Sequence, residues 1–272
     1  MNLVVDIGNS RMKAAVFEKG ALIWQCVSDG CSFDALAGVF DRYLQIDRCI
    51  VSSTRKDDMD LERSLAGRIG YFLKFENTVA VPLRNLYATP YTLGCDRLAA
   101  AVGAMKLFPD RNLLIVDFGS AITADVVTAA GEYLGGSISP GLDMRLRALA
   151  DYTGKLPRLR SDECPFYEYS DVPATTRDAM LSGVAVGIEL EVLGRITAYG
   201  GKYEGLVTIF TGGDVCFFGK RFKNTIFANR EFVFTGFNNI FAYNADKEHN
   251  LLGYFGCVIV GCSCGRYRTM GQ

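Results

Sequence analysis

The sequence is short of histidine: among 272 residues there is one, His249, in a polar stretch. That excludes a His-based nucleophilic triad and a His-rich metal centre, and it leaves a carboxylate as the expected general base. Charge imbalance is also missing. Lys and Arg number 29 against 30 Asp and Glu, a net charge of -1, so nothing electrostatic recommends nucleic acid or an anionic membrane as partner. Long hydrophobic runs are absent too. The longest near the C-terminus, Leu251 to Gly261, falls short of the roughly 20 residues a membrane helix needs. The Met-Asn start has no basic region and Asp6 interrupts the first apolar run, so no signal peptide is expected. Nine cysteines, an odd count, then read as reduced thiols in a cytoplasmic protein. Cys262 and Cys264 are too isolated to form a zinc site.

What is present is globular: 49% hydrophobic and 22% charged residues, enough for one large domain or two of ordinary size. The organising stretch is Leu3-Val4-Val5-Asp6-Ile7-Gly8-Asn9-Ser10-Arg11-Met12-Lys13. An apolar run bounded by turn signals reads as a buried strand with Asp6 at its end. Gly8 and Asn9 tolerate the tight backbone that aims N–H groups at an anion, and Ser10 and Lys13 can add a hydroxyl and a charge to a phosphate. Taken alone, an ordinary hairpin with a polar turn reads equally well. The pattern recurs, however, at Leu114-Ile115-Val116-Asp117-Phe118-Gly119-Ser120, and a third turn, Thr211-Gly212-Gly213-Asp214, follows the apolar strand Val207 to Phe210. Two strand-Asp-x-Gly-hydroxyl units suggest a duplicated domain with two facing phosphate loops.

Between these loops strands alternate with helices, which places the chain in the α/β class. Strands are expected at residues 2–7, 12–18 and 21–27 as an antiparallel meander. A helix capped by Ser32 and carrying Phe33, Leu36, Phe40 and Leu44 should follow, then a buried strand at Cys49 to Ser52 parallel to the first. A strand near Tyr71 to Phe75 comes next. The loop holding Pro90 and Gly94 opens a helix from about Cys95 to Leu107. Asp96 sits at its N-terminus, where the helix dipole favours an ionised carboxylate; it either caps the helix or serves as a base. Arg97 offers a fork of donors for a carboxylate or phosphate. Pro109-Asp110-Arg111 is the expected boundary between domains 1–109 and 110–272.

In the second half, strands are expected at Leu113 to Val116 and Ile122 to Val127. Gly135 to Gly141 reads as a Gly-rich loop, for ligand approach or as a plain turn. Residues 151–175 read as a long loop or a flap over a site. A long helix from Thr176 contains Gly183, Gly187 and Gly194, costly in a helix interior, which fit close packing against another helix or a nucleotide. Lys220, Arg221 and Lys223 read as a solvated face, and Asn239 to Leu252 as a closing amphipathic helix.

With these residues in place, the chain resembles the type III pantothenate kinases, members of the acetate and sugar kinase, Hsp70 and actin superfamily, over residues 2–253. The resemblance rests on D-I-G-N-S-R-M-K, Y-A-T-P-Y-T-L-G-C-D-R, D-F-G-S-A-I-T-A-D, G-G-S-I-S-P-G, T-T-R-D-A-M-L-S-G and T-G-G-D in that order. It implies two duplicated actin-like (ribonuclease H-like) domains with the active site in the cleft between them, and ATP-dependent phosphorylation of pantothenate in coenzyme A synthesis. On that resemblance Asp6, Gly8, Asn9, Ser10 and Lys13 would hold ATP phosphates, with Asp6 organising Mg²⁺. Asp96 would be the general base. Tyr87, Gly94, Cys95, Asp96 and Arg97 would line the pantothenate pocket, and Thr176 would reach it from the partner of a homodimer. Asp117 would bind K⁺ or NH₄⁺, Ser120 would contact ATP, and Gly212 and Gly213 would lie near adenosine. Ser120 replaces the family's usual threonine, and the tail from Gly253 to Gln272 departs from family endings. Another small-molecule kinase, or a nucleotide-binding regulator on the same fold, is the alternative; a regulator could lose Asp96 and keep the loops.

Overall fold

The computed structural model describes residues 1–8, 11–28, 33–53, 59–163, 172–218, 222, 226–227 and 231–259. The expected Ser32 cap, the loop residues Asn9 and Ser10, the basic stretch Lys220, Arg221 and Lys223, and Cys262 and Cys264 lie outside them.

The first half begins with β1 (Asn2–Ile7), β2 (Met12–Glu18) and β3 (Ala21–Ser28), the expected meander. Then come α1 (Asp34–Arg42), β4 (Arg48–Ser53), α2 (Met59–Arg68) and β5 (Tyr71–Lys74). A two-residue strand β6 (Arg84–Asn85) and a 3-10 turn at Pro90–Thr92 lead into α3 (Cys95–Leu107). The second half repeats the order with β7 (Leu113–Phe118), β8 (Ala121–Val127), β9 (Glu132–Pro140), α4 (Leu142–Asp151), α5 (Thr176–Gly200) and β10 (Val207–Thr211). It closes with α6 (Val215–Phe218), β11 (Ile226–Phe227) and α7 (Glu231–Ile259).

Pairing shows the duplication. One sheet has the order β3-β2-β1-β4-β5 and the other β11-β10-β7-β8-β9-β6. In the first, β1 pairs antiparallel with β2 and parallel with β4; in the second, β7 pairs antiparallel with β8 and parallel with β10. Among the described strands β6 alone has no counterpart, and it extends the second sheet from the first half of the chain by pairing with β9.

The central strands β1 and β7 are covered on both faces, so they read as near-continuous apolar runs, broken by Asp6 and Asp117, rather than as alternating ones. Side chains still alternate in direction. In β1, Leu3, Val5 and Ile7 face an outer cluster with Leu36, Val39 and Leu65 of α1 and α2, while Val4 faces a central cluster. In β7, Leu114, Val116 and Phe118 face an outer cluster with Leu146, Leu181 and Ile188 of α4 and α5, while Leu113 and Ile115 face the same central cluster. That central layer is built from α3 and α7. The two helices approach closely at glycine: a Cβ on Gly103 would lie 2.5 Å from Phe232 O, and one on Gly236 would overlap Ala99 O.

Several expectations need correction. Gly135 to Gly141 is not a loop; residues through Pro140 form β9, paired along β8. Two of its glycines are demanded by neighbours, since Gly135 has φ +93 with a Cβ position 2.7 Å from Tyr87, and a Cβ on Gly136 would overlap Ala124 O. Leu44 lies past the end of α1 and is 84% exposed. Gly183, Gly187 and Gly194 have no close neighbour among the described residues: a Cβ on each would meet open space. The closing helix is longer than expected, beginning at Glu231. In the 151–175 stretch, Leu159 is buried in the outer cluster and the Ser161 N–H donates to Asp143 Oδ1 at 2.8 Å. That part lies against α4; residues 164–171 lie outside the described residues.

Candidate active site

Strand parity decides where the carboxylates point. Asp6 shares a face with Val4, and Asp117 shares a face with Leu113 and Ile115, so both turn toward the space between the sheets. Lys13 shares its face with Ala15 and Phe17 and points the same way. The consequence is a cavity of about 110 Å³ lined by Asp6, Lys13 and Asp117, with Thr211, Gly212 and Gly213 beside Asp117. Arg11 and Gln25 also line it, although nothing in the sequence pattern singled them out.

The charged lining is Asp6 and Asp117 with Arg11 and Lys13, and the two carboxylates differ in what opposes them across their hairpins. Lys13 Nζ is 3.8 Å from Asp6 Oδ2 and sits opposite it in the β1–β2 register. The residue opposite Asp117 is Thr123, which brings no charge. Burial raises the Asp6 carboxyl to about 6, against the attraction of Lys13 and with added repulsion from Asp96. Burial raises Asp117 further, to about 7, with Asp96 the next largest contributor. Such carboxylates gain from a cation. Two carboxylates with hydroxyl neighbours form an all-oxygen donor set that suits hard cations such as Mg²⁺ or K⁺, water completing the shell. Among the described residues, no group of three or more His, Cys, Asp or Glu side chains converges as a metal cage.

Two hydroxyls accompany the carboxylates. Ser52 of β4 is level with Asp6 and Thr211 of β10 is level with Asp117; both are about 1% exposed. Their signal in the sequence was a polar residue ending an apolar strand, visible only once the pairing is known.

The loops hold their shape through backbone. Gly8 N–H donates to Arg11 O at 3.0 Å, so β1 and β2 are joined as a hairpin, as expected. Gly212 has φ +103, and a Cβ there would lie 2.5 Å from both Asp117 Oδ1 and the Phe118 backbone. Only glycine lets the β10 turn pass this close to Asp117. Ser120 is exposed at the β7–β8 turn, where its carbonyl accepts from Gly141 N–H at 3.0 Å.

Asp96 is exposed at the second position of α3, with Gly94 as N-cap. Its Oδ1 accepts the N–H of Arg97 at 2.9 Å, and a Cβ on Gly94 would collide with that oxygen. The glycine therefore clears room for the carboxylate. Cys95 turns its thiol to Phe75 O and Asn77 Oδ1, at 3.5 and 3.4 Å, and burial pushes it up to about 11. Arg97 is 5% exposed, and its Nε is 3.2 and 3.0 Å from the two oxygens of Asp125. Its side-chain fork is turned into the protein. Tyr87 lies beside it, the guanidinium carbon 5.5 Å from the ring centroid.

Thr176 is elsewhere. It lines a much larger groove, about 1380 Å³, between α4 and α5, together with Met144, Tyr152 and Gly183. This groove contains none of the carboxylates Asp6, Asp96 and Asp117.

A family profile described as type III pantothenate kinase matches residues 2–198. The chain belongs to this family. It is 39% identical over 245 residues to a type III pantothenate kinase of Christiangramia forsetii, covering 90% of this chain and 99% of that one. A type III pantothenate kinase of Bacteroides fragilis is 38% identical over 248 residues, covering 90% and 98%. Among solved structures, a Campylobacter jejuni protein assigned to the Baf family of transcriptional activators superposes with TM-score 0.59 at 23% identity, covering 90% of this chain and 99% of that one. An activator of 2-hydroxyisocaproyl-CoA dehydratase from Clostridium difficile, with bound ADPNP, gives TM-score 0.50 at 13% identity, covering 92% and 96%. At those identities the likeness concerns the fold alone. Among the described residues no helix is long and apolar enough to cross a membrane.

Proposed function

We propose that this kinase transfers the γ-phosphoryl group of ATP to the hydroxyl of pantothenate, giving 4'-phosphopantothenate in coenzyme A synthesis. The observation that carries the reading is Asp96: an exposed carboxylate at a helix N-terminus, close enough to Asp6 and Asp117 to raise both, in a chain of this family.

Phosphoryl transfer asks for alignment and charge neutralisation more than for covalent chemistry. The turn from Gly8 to Lys13 cradles the phosphates, Asn9 and Ser10 included, with the Lys13 charge beside them. Ser120 on the facing turn approaches ATP from the other side, and Gly212 and Gly213 border the adenosine. Asp6 orients Mg²⁺ and its waters. Bound there, Mg²⁺ neutralises the charge spread over the transferred group. Asp117 holds the monovalent cation, K⁺ or NH₄⁺; the absence of a charged residue opposite it in β8 supports this role. Asp96 accepts the hydroxyl proton late, since a loose transition state develops little bond to its nucleophile. Tyr87 and the segment from Gly94 to Arg97 line the pantothenate pocket.

The protein acts as a cytoplasmic homodimer in this reading, the chain dividing at 109/110. Thr176, Ala179, Gly183, Gly187, Leu190 and Gly194 fall at intervals of three and four along α5, on one side of the helix. Leu190 is 64% exposed. A second copy covering this face would bring Thr176 toward its neighbour's pantothenate.

The test is ADP release by the purified protein with Mg-ATP, with and without pantothenate, in K⁺ and again in Na⁺. Pantothenate-dependent turnover that requires K⁺ is expected. Turnover independent of pantothenate would overturn the substrate, and indifference to K⁺ would overturn the role of Asp117.

A further inference from the structure

Asp125 and Tyr133 lie behind the site, buried and outside any role given above. Asp125 is 2% exposed and Tyr133 fully buried. Tyr133 Oη donates to Asp125 Oδ1 at 2.7 Å, while Arg97 reaches the same carboxylate through Nε and Nη2. Asp125 stands on β8 directly opposite Ile115 of β7, two residues before Asp117. Arg97 is the neighbour of Asp96 and donates its own N–H to Asp96 Oδ1. One unbroken chain of contacts thus runs from the strand pair carrying Asp117, through Asp125 and Arg97, to the Asp96 carboxylate.

A two-point guanidinium–carboxylate contact fixes an angle as well as a distance. Buried ion pairs are poor stabilisers compared with apolar replacements, and their better-attested use is to define one geometry. Tyr133 adds a third bond to the carboxylate, and Tyr87 flanks the guanidinium. We propose that Asp125 and Tyr133 are positioning residues: through Arg97 they fix the first turn of α3, and so Asp96, relative to Asp117. The proposal rests on Asp96 being the base. It also means that the two Arg97 donors facing Asp125 take no part in holding the substrate carboxylate.

The test uses Tyr133→Phe, which removes one hydroxyl and keeps the ring, and Asp125→Asn. Misplacement of a reacting group by an ångström costs on the order of 100-fold. Asp125→Asn should therefore lower kcat about 10- to 100-fold and Tyr133→Phe several-fold, with the affinity for a non-hydrolysable ATP analogue unchanged. In an Asp96→Asn background neither change should lower the residual rate further, because residues acting as one unit are non-additive. Equal losses in both backgrounds, or loss of analogue affinity together with kcat, would overturn the proposal. Amide exchange separates this outcome from failure of the functional reading. Even in a protein that does not phosphorylate pantothenate, Tyr133→Phe should speed exchange at Arg97 and Leu98 while leaving β1 unchanged. Unchanged exchange at those two amides would overturn the positioning role by itself.

Discussion

Asp6 and Asp117 are the same residue of a duplicated unit: each is fifth in a six-residue central strand, and each faces the layer between the two sheets. Each also has a buried hydroxyl level with it on the parallel neighbour, Ser52 for one and Thr211 for the other. They differ in what opposes them on the antiparallel side, lysine for Asp6 and threonine for Asp117. The two carboxylate sites are alike on the parallel side and differ in charge at the residue across the hairpin.

Removing the base should separate binding from chemistry. Asp96→Asn keeps the side-chain oxygen that accepts the Arg97 N–H and removes the proton acceptor. An ATP analogue should bind as before, measured by calorimetry, while turnover falls by about 10²–10⁴. Near-wild-type turnover would show that Asp96 is only a cap.

The raised carboxyls dictate a sign for stability against pH. Asp6 and Asp117 ionise at about 6 and about 7 rather than 3.8, so between those limits the folded chain binds protons that the unfolded chain has released. Their contribution is full below the ordinary carboxylate value and is lost as pH rises through the raised values. Thermal melts without divalent or potassium ions should show a flatter profile for Asp117→Asn than for wild type between about pH 5 and pH 7.5. Cation binding needs the ionised form, so Mg²⁺ should raise Tm more at the higher pH. An equal rise at both would contradict the role of these carboxylates.

The contact between α3 and α7 predicts a packing defect. Gly236→Ala places a methyl against Ala99 O, with backbone and not a flexible side chain in the way. The helices must separate, at a cost of about 1–3 kcal/mol, read as a lower midpoint in urea. Gly205 sits at φ +64 with open space around it; alanine there should cost about 1 kcal/mol through backbone strain alone, without a change in the m-value.

The α5 face gives a prediction in solution. Leu190→Arg puts a charge on the exposed side of a helix whose own protomer does not use it. Sedimentation should show a dimer for wild type and a monomer for the variant, with circular dichroism unchanged. A variant that remains dimeric would move the interface elsewhere.

Much of this was legible in sequence because it depends on local pattern. Apolar runs ending in Asp-x-Gly marked β1 and β7, and their near-repetition announced two similar sheets before any pairing was known. Gly94 before Asp96 located the start of α3, since a helix terminus and a clearing glycine are both local features. Where sequence misled, the deciding contact was remote. Gly135 and Gly136 read as a loop because glycine is rare in strands, yet they lie in β9 to make room for Tyr87 and for the backbone of β8. The helix glycines of α5 suggested close packing, but which surface covers a helix is not written in the helix.

The sequence by itself determined most of the elements, their duplication, and where the candidate carboxylates fall, because strand period, turn residues and helix starts are set within a few residues. Only the tertiary structure decided that Arg97 turns inward to Asp125 rather than outward to a ligand. It also decided that Thr176 lies in a separate groove and that Asp117 has no charge opposite it. Those outcomes depend on which strand lies beside which, and on burial that makes an unpaired charge costly; neither is a property of any short stretch of chain.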